Sequence, residues 1–208
     1  MSVLNIGVLV SGRGSNLQAI MDACAQGRVP ARVTVVVSDV EGAPALERAR
    51  SKGIPAVYVN PGAFAGKIEY EQAVAGVLRE RQVELVCLAG YMRLLGKTVL
   101  EAFPGRIINI HPALLPAFPG LHAQKQAIEH GVRFSGCTVH FVDEGIDTGP
   151  IILQAVVPVL QTDTPDTLAE RILVEEHRIY PEAIRLLAGD RLKIYGRRVI
   201  IKEEGKDD

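Results

Sequence analysis

The sequence predicts an α/β fold: a doubly wound, mostly parallel sheet with helices on both faces and an antiparallel C-terminal portion. Three observations predict it. Continuous β-branched and apolar runs alternate with helix-period stretches through roughly the first half of the chain, as parallel strands covered on both faces require. Further on, Thr138-Val-His-Phe-Val alternates residue by residue, the pattern of an antiparallel or edge strand. The 208 residues are 48% hydrophobic and 23% charged, enough to bury a core and too apolar for a disordered chain. The expectation is one domain over 1–208, with its core at about 3–192 and a charged tail.

Each element has its own warrant. Asn5–Val10 is a short apolar strand stopped at Ser11-Gly12, and Ser15–Gln26 is amphipathic at helical spacing. Arg32–Ser38, with Val33, Val35, Val36 and Val37, is a strand. Pro44–Lys52 is a helix with proline in its first turn and Gly53 as its stop. Ala56–Val59 is a brief strand, and Lys67–Arg81 places Val74, Val77 and Leu78 on one helical face. Leu85–Ala89 and Arg106–Ile110 are further buried strands, and Ala123–His130 a short helix. Thr138–Asp143 and Ile151–Val159 are strands joined by a glycine-rich loop. Thr164-Pro165 opens a long helix that Gly189 ends. Leu192–Ile194 and Val199–Ile201 suit a terminal hairpin, and the tail from Lys202 is expected to fray.

Composition narrows the partners. A net charge of −1 provides no basic field for nucleic acid or anionic lipid, so any bound phosphate must be held locally. Small-molecule substrates are expected, with the chain a monomer or a homodimer. Cys24, Cys87 and Cys137 are odd in number and widely spaced, and match neither a disulfide framework nor a metal motif. The opening Met-Ser-Val-Leu-Asn-Ile-Gly reads as a strand rather than a leader, and no apolar run is long enough to span a bilayer. A reducing, cytoplasmic setting is expected.

In a doubly wound sheet, ligands bind beyond the carboxyl ends of the strands. This directs attention to Ser11–Asn16, Gly90–Leu95, Asn109–Gly120 and Asp143–Gly149. In the first loop, Ser-Gly-Arg-Gly-Ser-Asn, two glycines let the backbone approach an anion at a helix start. The third glycine of a dinucleotide loop and the Gly-Lys-Ser/Thr of a Walker loop are both missing. A tight turn with Ser15 as helix cap is the structural alternative. Asn109 and His111, two apart at a strand end, point to one side, an amide donor beside a titratable imidazole. The two following prolines imply a rigid turn, in which one Leu-Pro bond could be cis. The acidic loop Asp143-Glu-Gly-Ile-Asp-Thr-Gly-Pro lacks the spacing of a calcium loop and has no accompanying His/Cys cluster. If Asp147 lies near His111, its charge would favour the imidazolium and raise the imidazole's pKa. Alone, the loop reads as a solvated turn. His140, on the alternating strand, is a further candidate to line the site.

Taken together, Ser11-Gly-Arg-Gly-Ser-Asn-Leu, Leu88-Ala-Gly-Tyr-Met-Arg-Leu-Leu, Asn109-Ile-His-Pro-Ala-Leu-Leu-Pro and Gly145-Ile-Asp-Thr-Gly-Pro resemble the folate-dependent phosphoribosylglycinamide formyltransferases, in order and over about Val3 to Leu192. The resemblance implies the formyltransferase fold. It also implies transfer of a formyl group from 10-formyltetrahydrofolate to the amine of a phosphoribosylated glycinamide, in purine biosynthesis, without metal. Residue by residue, it implies a catalytic trio of Asn109, His111 and Asp147. Gly14, Ser15 and Asn16 would bind the ribonucleotide phosphate, and Glu176 its ribose. Met92, Arg93, Leu94, Leu95 and Asn109 would contact the folate, with Lys67 nearby and the loop from Asp143 to Asp147 enclosing the pterin. Lys67 stands where relatives often have arginine, which keeps the charge but loses the planar fork. Gln124 stands where some have histidine. A non-catalytic nucleotide-binding module and another formyl-group enzyme, either a transferase to a different sugar amine or a formylfolate hydrolase, are the competing readings.

Overall fold

The structure, a computed structural model, describes residues 3–202. The tail expected to fray lies, beyond Lys202, outside the described residues. The chain divides into two compact units, Met1–Asn109 and Ile110–Asp208.

The first unit is the doubly wound half. Strands β1 (Leu4–Val10), β2 (Ala31–Ser38), β3 (Ala56–Tyr58), β4 (Leu85–Leu88) and β5 (Ile107–His111, ending at the unit boundary) lie in the order β3-β2-β1-β4-β5. The registered pairs β1–β2, β1–β4, β2–β3 and β4–β5 are all parallel. The helices between them are α1 (Ser15–Ala25), α2 (Pro44–Ser51), α3 (Lys67–Glu80) and α4 (Lys97–Ala102). Ile6, Val8, Leu9, Val10, Val35, Val36, Val37 and Leu85 have no solvent exposure, which explains why these strands read as unbroken apolar runs. α1 buries Leu17, Ile20 and Met21 at helical spacing. The chain reverses its winding between β1 and β4, so the topological switch point lies between Ser11 and the segment after Leu88.

The second unit contains α5 (Ala123–Glu129), β6 (Phe134–Phe141), β7 (Ile151–Pro158), α6 (Pro165–Ala188), β8 (Leu192–Tyr195) and β9 (Arg198–Ile201). Its strand order is β6-β7-β9-β8. β6–β7 and β8–β9 are antiparallel, whereas β7–β9 is parallel. The antiparallel C-terminal portion and the terminal hairpin are thus as expected.

β6 and α4 are among the elements that differ from the sequence reading. β6 starts at Phe134, ahead of the expected Thr138, because Ser135-Gly136-Cys137 has weak strand propensity and is recruited by pairing with β7. Gly136 belongs to that pairing, since a β-carbon there would collide with the Ala155 carbonyl. α4 was not expected: six residues with one buried side chain, Val99, carry too short a pattern to read.

Candidate active site

The second unit holds the imidazole and the carboxylate. His111, at the end of β5, is 5% exposed. Its Nδ1 lies 3.2 Å from Asp147 Oδ2, and its Nε2 lies 2.8 Å from the Phe118 carbonyl. That carbonyl can only accept, so Nε2 carries the proton that donates to it. The Asp147 carboxylate is held from two other sides. Gly120 N–H donates to Oδ2 at 2.8 Å, and His140 Nε2 faces Oδ1 at 3.6 Å. His140 Nδ1 lies 2.8 Å from the Phe141 carbonyl, which orients its ring. The register of β6 against β7 shifts between Val139 and His140, beside this contact.

Local backbone conformation supports the cluster. Phe118, His122 and Asp147 have φ of 53°, 60° and 54°, left-handed values that non-glycine residues adopt at a cost. Phe118 and His122 lie in the loop after β5 and Asp147 in the loop between β6 and β7, and the Leu115–Pro116 bond is cis.

Electrostatics modify one expectation. Burial pulls the His111 imidazole below the ordinary histidine value, and the Asp147 charge and the Phe118 carbonyl pull against it without prevailing. The expected net rise is therefore not met: the carboxylate acts in the foreseen direction, but removing the ring from water costs more. Both ring nitrogens face oxygen acceptors, so the site suits an imidazolium but holds its second proton weakly. Burial works to raise the Asp147 carboxyl, yet His140, the Gly120 amide and His111 together bring it below its usual value. Glu176 sits buried on α6, and Gln124 lies in the first turn of α5.

The first unit holds the two candidate ligand segments. The loop after β1 is pinned by α2: Ala45 N–H donates to the Gly12 carbonyl at 3.2 Å, and Arg48 Nε to the Arg13 carbonyl at 2.8 Å. Gly14, not Ser15, caps α1, and no side chain makes a capping bond there. That leaves the helix start open to an anion. Ser15 is half-buried and Asn16 buried. The segment after β4 borders a cavity of about 520 Å³ lined by Lys67, Tyr70, Glu71, Met92, Arg93, Leu94 and Leu95 among others. Met92 and Leu94 are apolar yet 65% and 60% exposed.

The structure thus brings His111 together with Asp147, and Lys67 together with Met92–Leu95. Gly14–Asn16 do not line that cavity. Asn109 shares β5 with His111 two residues on, so both project to one side of that strand. Sequence reasoning missed Phe118 and Gly120, whose roles are main-chain contacts with no side-chain signature. It also missed Tyr70, Tyr91 and Glu71, which read as ordinary helix and strand-end residues.

Residues 4–184 match the family described as Formyl transferase, a stretch that runs through both units. The chain is 48% identical over 207 residues to the trifunctional purine biosynthetic protein adenosine-3 of Drosophila pseudoobscura pseudoobscura, which covers 97% of this chain but only 15% of that protein's length. It is 46% identical over 182 residues to the phosphoribosylglycinamide formyltransferase of Bacillus subtilis (strain 168), covering 88% of this chain and 93% of the relative. Among solved structures, glycinamide ribonucleotide transformylase 1 from Symbiobacterium toebii superposes with a TM-score of 0.96 at 60% identity, covering 97% and 95% of the two chains. With a family match over most of its length and a relative matched nearly end to end, the chain belongs to the formyl transferase family, in its phosphoribosylglycinamide formyltransferase branch.

Proposed function

We propose that the chain transfers the formyl group of 10-formyltetrahydrofolate to the amine of 5'-phosphoribosylglycinamide, in de novo purine biosynthesis. The products are formylglycinamide ribonucleotide and tetrahydrofolate. The observation that carries this reading is the pairing of buried His111, at the carboxyl end of β5, with half-buried Asp147, with Asn109 two residues before the imidazole. A binding module has no use for an imidazole poised between two acceptors.

The glycinamide nitrogen attacks the formyl carbon. A new C–N bond forms, the bond from that carbon to folate N10 breaks, and the proton lost by the amine ends on N10. Negative charge accumulates on the formyl oxygen in between, and preplaced donors lower that barrier. Asn109 supplies an amide donor, and His111 its Nε2–H, which exchanges the Phe118 carbonyl for the formyl oxygen as charge develops. Asp147 orients the ring, stabilises it when charged, and through water helps carry the proton. The lowered affinity of His111 for its second proton suits a group that must release it again.

Gly14, Ser15 and Asn16 hold the ribonucleotide phosphate at the uncapped start of α1, and Glu176 contacts the ribose. Lys67 and Arg93 are cations and Met92, Leu94 and Leu95 are apolar, a lining that fits a co-substrate with a flat ring and an anionic tail. Lys67 meets that tail as a point charge rather than a fork. The scheme requires no metal. The chain acts as one formyltransferase domain on small molecules, as a monomer or homodimer, without nucleic acid or membrane partners. All three cysteines are thiols rather than disulfides, which fits the cytoplasm.

Purified protein given 10-formyltetrahydrofolate releases tetrahydrofolate only when glycinamide ribonucleotide is added. Release without ribonucleotide would mean a hydrolase instead. His111→Ala and Asp147→Ala each lose roughly 10²–10⁴-fold in turnover while still binding ribonucleotide. Near-normal turnover in either variant removes that residue from the scheme.

A further inference from the structure

Residues 92–95 lie outside regular secondary structure, so their conformation depends on what holds their ends. Two acids do so. At the N-terminal end, Met92 N–H donates to Ser11 Oγ at 2.9 Å, and Ser11 Oγ donates in turn to Asp39 Oδ1 at 2.6 Å. A hydroxyl has one proton, so the Asp39 acceptor fixes the direction of the relay and leaves the Ser11 lone pair for the amide. Ser11 N–H also donates to the Gly90 carbonyl at 3.0 Å. At the C-terminal end, Gly96 N–H donates to Glu71 Oε1 at 2.6 Å. Glu71 is 3% exposed, and a β-carbon on residue 96 would lie 2.9 Å from its carboxylate oxygens, so a larger residue there would displace the carboxylate.

Each acid also faces one cation of the cavity. Asp39 Oδ2 lies 3.9 Å from Arg93 Nη1, and Glu71 Oε1 lies 3.6 Å from Lys67 Nζ. Arg93 and Lys67 are about half exposed, so these ion pairs contribute little. The charge-assisted bonds to buried groups are the stronger term. Arg93 lies over the Tyr70 ring at 5.3 Å, and the Tyr70 and Tyr91 hydroxyls are 2.6 Å apart, which stiffens the wall behind the segment.

We infer that Asp39, acting through Ser11, and Glu71 are the positioning residues that set the 92–95 segment for the folate co-substrate. The inference rests on the reading of that segment as the co-substrate site. The two anchors differ in reach. Ser11 also opens the loop that leads to Gly14, so the Asp39 arm ties the co-substrate segment to the anion loop, whereas Glu71 bonds to the segment's far end and pairs with Lys67.

Steady-state kinetics with 10-formyltetrahydrofolate and glycinamide ribonucleotide tests this. Glu71→Ala raises KM for the formylfolate about 10-fold or more, the scale of a lost hydrogen bond to a charged group, and leaves KM for ribonucleotide within about 2-fold, a separation set by its distance in the network from the anion loop. Asp39→Ala and Ser11→Ala raise both Michaelis constants. Asp39→Asn and Glu71→Gln keep the accepting oxygen but not the charge, and recover part of the loss. Amide hydrogen exchange supplies a readout independent of activity: Met92 and Gly96 exchange faster in the corresponding alanine variants and regain protection in Asp39→Asn and Glu71→Gln. Unchanged formylfolate KM in the alanine variants, equal effects of Glu71→Ala on both substrates, or unchanged exchange at both amides would overturn the inference. Wild-type protein without ribonucleotide-dependent turnover would overturn the functional reading and this inference with it.

Discussion

At Gly14 two demands fall on one residue. Its φ of +73° lies in the left-handed region, and a β-carbon there would lie 2.7 Å from Ala45 Cβ and 2.9 Å from Ala45 Cα. Only glycine satisfies both, which is how the loop approaches α2 and leaves the start of α1 open. Gly14→Ala is expected to cost about 1–2 kcal/mol from the left-handed conformation alone, with the contact adding to it. Denaturant titration measures the stability, and KM for ribonucleotide should rise in parallel; an unstrained alanine variant would mean the loop adapts. The same scale explains what could be read in advance. Asn109 and His111 were legible because side-chain alternation along a strand is local. The main-chain groups of Phe118 and Gly120 were not, because a carbonyl or an amide has no side-chain signature.

At the scale of elements, long and well-capped segments were the readable ones. α6 runs for 24 residues, opened by a reciprocal pair in which Thr164 Oγ1 accepts from Thr167 N–H and Thr167 Oγ1 accepts from Thr164 N–H. Pro165 occupies the first turn, where its missing N–H costs nothing. Thr164→Ala is expected to lower stability by about 1 kcal/mol, measured by thermal or denaturant melting, and to leave kcat unchanged because it touches no site residue. α4 escaped detection for the opposite reason. Six residues cannot sustain a helix by propensity, and its start is fixed from outside by the Glu71 carboxylate on Gly96.

For the whole molecule, the perturbed groups that titrate on the acid side give pH dependence one sign. Burial pulls the folded-state values of His111 and His177 below the ordinary histidine value, so the unfolded chain binds these protons more readily. Their contribution to stability is complete above about pH 6.5 and is lost as pH falls from there through the folded-state values. Asp147 acts in the same direction at lower pH: its folded value lies below the ordinary one, so its contribution exists above that ordinary value and disappears on further acidification. The melting temperature is therefore expected to fall between pH 7.5 and 5.5. His177→Gln, which removes a ring whose Nε2 has no hydrogen-bond partner among the described residues, is expected to reduce that fall. A fall of equal size in the variant would show that His177 contributes nothing to it.

The sequence by itself determined the α/β class, the order and approximate limits of most elements, the strand-end position of Asn109 and His111, and the loops that border ligand segments. Periodicity, apolar runs and turn residues are properties of neighbouring positions, and those survive without coordinates. Tertiary structure decided which groups meet across the chain: Asp39 with Ser11, 28 residues apart, Glu71 with Gly96, 25 apart, and Asp147 with the Gly120 amide, 27 apart. It also decided the protonation balance at His111, where the sequence named the carboxylate but not the depth of burial that outweighs it. Partner identity and desolvation depend on how distant segments pack, and no local pattern encodes either.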